Sequence, residues 1–150
     1  MEFKNLKQTL FYACAVGASI LVLMFVIACA SIGFYVKSGC QNAIWKYGGD
    51  CVEALIATLE DKTNDFSTRN MAIWALGQIG EGRALPVLQE YYTGNIPPRE
   101  APDRVISQYE LKKAIHLLQG GWNAGAWTWR NSLDTDRSWT LLSSCCEILP

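Results

Sequence analysis

The sequence predicts an all-α chain: one N-terminal transmembrane helix, a short α-solenoid of about two helical hairpins, and an irregular Trp-rich C-terminal tail. Three observations predict it. Residues 10–36 carry no charge, apolar residues beyond them recur at helical rather than strand spacing, and four of the six tryptophans fall within 18 positions near the end. The expected plan is a flank over 1–9, the membrane helix over 10–36, a juxtamembrane linker over 37–49, helical repeats over 50–121 and the tail over 122–150.

The uncharged run from Leu10 to Val36 is 27 residues. As a helix it is about 40 Å long, against about 30 Å of bilayer hydrocarbon, so it spans with some tilt or emerges at one end. Phe11 and Tyr12 lie near one end and Phe34 and Tyr35 near the other, where interfacial aromatics belong, and Lys4, Lys7 and Lys37 bracket the run. Two rivals stand beside the retained helix. One is a cleaved signal peptide; the other is a lipoprotein signal, because Val26-Ile27-Ala28-Cys29 fits a lipobox. Against the second, the apolar run continues from Ala30 to Val36, where a lipoprotein normally turns polar.

Lys4 and Lys7 on one side balance Lys37 and Lys46 on the other, a tie by the positive-inside count. Cysteines supply a second vote. Cys14 and Cys29 lie in the apolar run, leaving Cys40, Cys51, Cys145 and Cys146 outside it. An even set suits an oxidising compartment, with Cys40 and Cys51 a candidate disulfide around a short loop; buried free thiols are the alternative. The reading adopted is an extracytoplasmic domain. Taking Lys4, Lys7 and Glu2 from totals of 13 basic and 14 acidic residues leaves 11 against 13 from residue 37 onward. With no basic cluster to neutralise phosphates, nucleic-acid binding is not expected.

After the membrane helix, Gly48-Gly49-Asp50 punctuates the chain, and Asp50 is a suitable N-cap for a helix over roughly 51–61. There Val52, Leu55, Ile56 and Leu59 fall at i, i+3, i+4 and i+7. Ser67 or Thr68 is expected to cap the next helix, with Met71, Trp74, Ala75, Leu76 and Ile79 as its apolar surface and Gly80 and Gly82 ending it. A further helix runs through Leu85, Leu88 and Tyr92, with Pro86 tolerated in its first turn, and stops at Gly94. Shifting 52–55 forward by 33 lands on 85–88, whereas Ala72, Ile73 and Leu76 match Ala114, Ile115 and Leu118 with a shift of 42. The nine-residue difference is the size of the Pro-rich insert 96–104. The pattern is therefore two hairpin units with an insertion in a connecting loop.

Arg69, Ala72, Ala75-Leu76-Gly77, Ile79-Gly80, then Ala84-Leu85-Pro86 and Leu88 resemble a HEAT-like repeat, of the short type first described in phycobilisome lyases. The resemblance is specific over 67–94, weaker over 50–66 and 105–121, and implies stacked helical hairpins. Solenoids usually need about three units, and about two are legible here. The tail or a partner protein is expected to cover the open ends.

No feature of the sequence points to catalysis. His116 is the single histidine and shares a helix with Lys112 and Lys113, while Glu60-Asp61 and Asp134/Asp136 read as helix-end and loop carboxylates. No phosphate loop or nucleophile motif occurs, the cysteine spacing is not a zinc pattern, and neither cofactor nor small-molecule substrate is expected. The expected function is a non-catalytic, membrane-anchored protein–protein interaction module, an accessory subunit or assembly factor of a larger membrane complex. Its partners are the lipid bilayer and other subunits. The alternative is an extracytoplasmic sensor that holds a peptide or glycan through the Trp-rich tail. Candidate contact residues are Trp122, Trp127 and Trp129, because Trp is enriched at interface hot spots, with Arg99 and Arg104 of the insert. A capping flap, with the indoles packed over the last repeat, is the competing account of the tail.

Overall fold

The computed structural model describes residues 2–123 and 125–130. Trp139, Cys145, Cys146 and the rest of the tail from 131 on, together with the Trp127 side chain, lie outside the described residues. All regular structure within them is helical: α1 (Glu2–Tyr47), α2 (Cys51–Glu60), α3 (Phe66–Ile79), a 3-10 turn (Gly82–Ala84) leading into α4 (Leu85–Tyr91), α5 (Gln108–Leu118) and the single turn α6 (Ala126–Trp129).

The linker expected at 37–49 is not a linker. α1 continues without a break through Tyr47, a single rod of 46 residues. Its two halves differ in surroundings. Every residue from Gln8 to Ala28 is exposed, whereas from Cys29 onward one stripe is covered: Cys29, Gly33, Val36, Cys40, Ala43 and, partly, Tyr47. The steps of three and four residues put that stripe on one helix face, the face that meets the rest of the domain. The apolar run 10–36 thus serves two environments, and its last turns belong to the domain core. Cys29, the residue a lipobox would modify, lies under Gly125. By length and composition α1 is the one helix among the described residues apolar enough to cross a membrane.

Val36, Cys40 and Ala43 of α1 join Val52, Leu55 and Leu59 of α2, Ala72, Ile73 and Leu76 of α3, Leu88 of α4 and Leu111 and Ala114 of α5 in one core. α1 packs on α2 and α3, α2 on α3, and α3 on α5, which in turn meets α4. The C-terminal half of α1 therefore covers the α2–α3 pair on its N-terminal side. Cys40 and Cys51 are disulfide-bonded, with Cα atoms 5.0 Å apart, which ties α1 to the start of α2.

Local signals explain most helix ends. Asp50 accepts from the Glu53 N–H at 2.9 Å while the Glu53 carboxylate reaches back to the Asp50 N–H, a capping box. The cap of α3 is Asp65, not Ser67 or Thr68: its carboxylate accepts from the Thr68 N–H at 2.8 Å, so the helix begins at Phe66, a few residues earlier. Pro86 falls at the start of α4, and Gly80, with φ of 75°, ends α3. Gly82 does not end a helix but opens the 3-10 turn. At Gly77 a Cβ would lie 2.7 Å from the Cα of Ala114, so the absence of a side chain there lets α3 and α5 touch backbone to backbone.

Candidate interaction surface

The face of α1 that flanks its buried stripe forms one wall of an open groove, and α3 forms the other. One section, of roughly 370 Å³, is lined by Gly39, Asn42 and Lys46 of α1 and by Asn64, Thr68 and Met71. Met71 also lines a second section of roughly 500 Å³, with Tyr35, Trp74, Pro102, Asp103 and Lys113. The groove thus runs from α1 across α3 to the insert.

The insert is pinned by two side chains. The Asn70 amide, buried inside α3, donates to the carbonyls of Pro102 at 2.7 Å and Val105 at 2.8 Å, and its oxygen accepts from the Ser107 N–H at 2.9 Å. Glu100 receives the Ser107 hydroxyl and the N–H groups of Gln108 at 2.9 Å and Tyr109 at 3.2 Å, so its carboxylate sits on the first turn of α5. That position complements the helix dipole. Arg104, between the Asn70 contacts at Pro102 and Val105, and Arg99, just before Glu100, remain exposed, Arg104 making only a loose ion pair to Asp103 at 3.7 Å.

The tail residues behave differently from one another. Trp122 is 88% exposed. Trp129 is only 6% exposed, packed where a Cβ on Gly33 would stand 3.1 Å from its own Cβ. It is a core residue that holds α6 against α1, so the expectation that it contacts a partner fails on burial. The covering-flap account fits Trp129. Nor do the candidates converge. Arg99 and Arg104 lie by the Asn70 turn of α3, whereas Asn123, next to Trp122, donates to Gln78 at 2.8 Å near the helix's other end. Eight residues of helix, about 12 Å, separate those two levels.

Sequence reasoning missed Trp45, 91% exposed on α1, because it was counted within a linker. It also missed the polar knot that closes α1 on α2. Asp61 accepts from the Thr63 hydroxyl at 2.6 Å and the Thr63 N–H at 2.9 Å, from the Tyr47 hydroxyl at 2.6 Å and from Lys46 at 3.3 Å. The Thr63 hydroxyl first, then Tyr47, hold its pKa well below the ordinary 3.8. A carboxyl held down in this way contributes stability that is complete above the ordinary value and drains away as pH falls below it. Denaturation midpoints measured at pH 7 and pH 3 should therefore drop with acid, and Asp61→Asn should both lower the pH 7 midpoint and narrow the gap between the two. An unchanged gap would mean the knot carries no charge-dependent stability.

Among the described residues no group of three or more His, Cys, Asp or Glu side chains could hold a metal ion, and His116 is exposed. Arg83 pairs with Asp50 at 2.7 Å and, more loosely, with Glu53 at 3.6 Å, a structural tie between α2 and the turn before α4. Residues 28–101 match the family model of HEAT repeats. The match opens at the turn of α1 where burial begins. No curated protein and no solved structure matches the chain.

Proposed function

We propose that the chain is a non-catalytic, membrane-anchored protein–protein interaction module, an accessory subunit or assembly factor of a larger membrane complex. HEAT repeats suggest an interaction scaffold, and the observation that carries the anchored form of the reading is the continuity of α1. One helix offers 21 exposed, almost wholly apolar residues over 8–28, about 32 Å, and then becomes the first helix of the repeat core. The Cys40–Cys51 bridge supports an oxidising, extracytoplasmic setting for the domain. Anchoring holds the domain close to other membrane subunits and raises their effective concentration, so a modest interface suffices. Arg99 and Arg104, held exposed beside the groove, are the contacts we assign to a partner protein. The likeness to the short repeats of phycobilisome lyases carries no activity with it, because fold does not fix function. A tail of stacked indoles for a peptide or glycan draws no support, since Trp129 is buried.

The test is the native size of the chain after gentle detergent extraction from its own membranes, with mass spectrometry of what comigrates. A large, defined particle is expected, and the double variant Arg99→Glu/Arg104→Glu should leave it while remaining folded. Migration of the unaltered chain as a lone monomer or dimer would refute the subunit reading.

A further inference from the structure

We infer that the repeat domain rests directly on the bilayer surface and that Trp122 is its interfacial anchor, its indole held among lipid headgroups rather than against a protein. The inference rests on the membrane-span reading above and extends it from the helix to the underside of the domain.

If residues 8–28 fill the hydrocarbon, the next residue, Cys29, is already covered by the domain. A Cβ on Gly125 would lie 3.7 Å from the Cys29 sulfur and 3.9 Å from Ile32, which are one and four residues beyond the span, about 2–6 Å. The headgroup layer is about 5–8 Å deep on each side. With no linker between span and domain, the segment carrying Gly125 has to meet that layer, and Trp122 is three residues away from it.

Trp122 is held between two tied neighbours: the Gly121 N–H donates to the His116 carbonyl at 2.9 Å, and Asn123 donates to Gln78 while accepting from the Ala126 N–H at 3.2 Å. A large apolar side chain is thus kept exposed by a fixed loop. An indole has an apolar body and one N–H donor, the combination that concentrates Trp and Tyr at membrane interfaces. Trp45, equally exposed, stands about 26 Å beyond the span and so lies in water.

The contrast between Trp45 and Trp122 supplies the experiment. Leu21→Cys, Trp45→Cys and Trp122→Cys are made one at a time in the full chain, with Cys14, Cys29, Cys145 and Cys146 replaced by alanine and the Cys40–Cys51 bridge kept. Each is labelled with a nitroxide and reconstituted into vesicles of zwitterionic and anionic phospholipid. The readout is relative collision with oxygen, which favours lipid, and with a water-soluble nickel chelate. Position 21 should read as hydrocarbon and position 45 as water, with the oxygen preference at 122 several-fold above that at 45. If 122 matches 45, or is shielded from both reagents by a protein contact, while 21 reads as hydrocarbon, the anchor is overturned and the span stands. Water at position 21 overturns the span and the anchor together. All three labelled positions are exposed, and the one buried change, Cys29→Ala, is common to all of them.

Discussion

Replacing Gly77 with leucine is expected to unfold the repeat domain or leave it melting well over 10 °C below the unaltered chain. The Cβ of any residue at 77 would stand 2.7 Å from the Cα and 2.8 Å from the Cβ of Ala114, and one of those atoms is backbone that no rotamer change can move. α3 and α5 would have to part along their whole contact, which takes Ile73, Leu76, Leu111 and Ala114 out of register. Overpacking costs about 1–3 kcal/mol when side chains can adjust, and more when they cannot. Gly77→Ala separates packing from helix propensity. Alanine in a helix interior should gain about 1 kcal/mol over glycine, so a net fall in melting temperature means that the clash outweighs that gain. The double variant Gly77→Ala/Ala114→Gly, followed by circular dichroism in detergent, should recover part of the loss, because residues in contact are not additive. A rise in melting temperature for Gly77→Ala alone would show that the two helices do not approach as described.

Asn70→Ala should produce the second large effect, and a different one. Three hydrogen bonds vanish together, and the Ser107 N–H is left buried with no acceptor from Asn70. An unsatisfied buried group costs about 1–3 kcal/mol, so a total loss of about 2–4 kcal/mol is expected. The insert should also come loose. Trypsin cutting after Arg99 and Arg104 is the direct measure: both side chains are exposed but adjoin the pinned residues 100, 102 and 105, and cleavage should accelerate about tenfold or more in the variant. Asn70→Asp keeps the acceptor for Ser107 while replacing the two donors with a charge aimed at carbonyls, and should free the insert with an intact start to α5. Equal cleavage in all three chains would mean that Glu100 alone holds the loop.

These two residues show where the sequence was readable and where it was not. Gly77 belongs to a local motif, Ala75-Leu76-Gly77, whose small residues announce close helix contact. Asp50 and Pro86 were legible for the same reason, since a cap and a first-turn proline are settled within one turn. Asn70 has no local signature, because its partners lie 32 to 37 residues away along the chain. The stripe Cys29, Gly33, Val36, Cys40, Ala43 was hidden differently. Periodicity is visible only against a polar background, and from Leu10 to Val36 nearly every position is apolar, so the change of environment at residue 29 left no mark. Trp122 and Trp129 are the same residue type seven positions apart, and composition could not separate them. What separates them is Gly33, nearly a hundred residues earlier, which makes room for one indole and not the other.

The unbroken course of α1 has a consequence for geometry in the setting proposed above. A domain on a flexible tether samples every azimuth; one grown out of its own anchor has a bearing. Each residue inserted between Ala28 and Cys29 would lift the domain by about 1.5 Å and turn it by about 100° around the helix axis. The helix length then acts as a phase, deciding which neighbour in the membrane plane the Arg99–Arg104 loop faces, and a single-residue deletion would aim it at the wrong one while leaving every contact inside the domain intact.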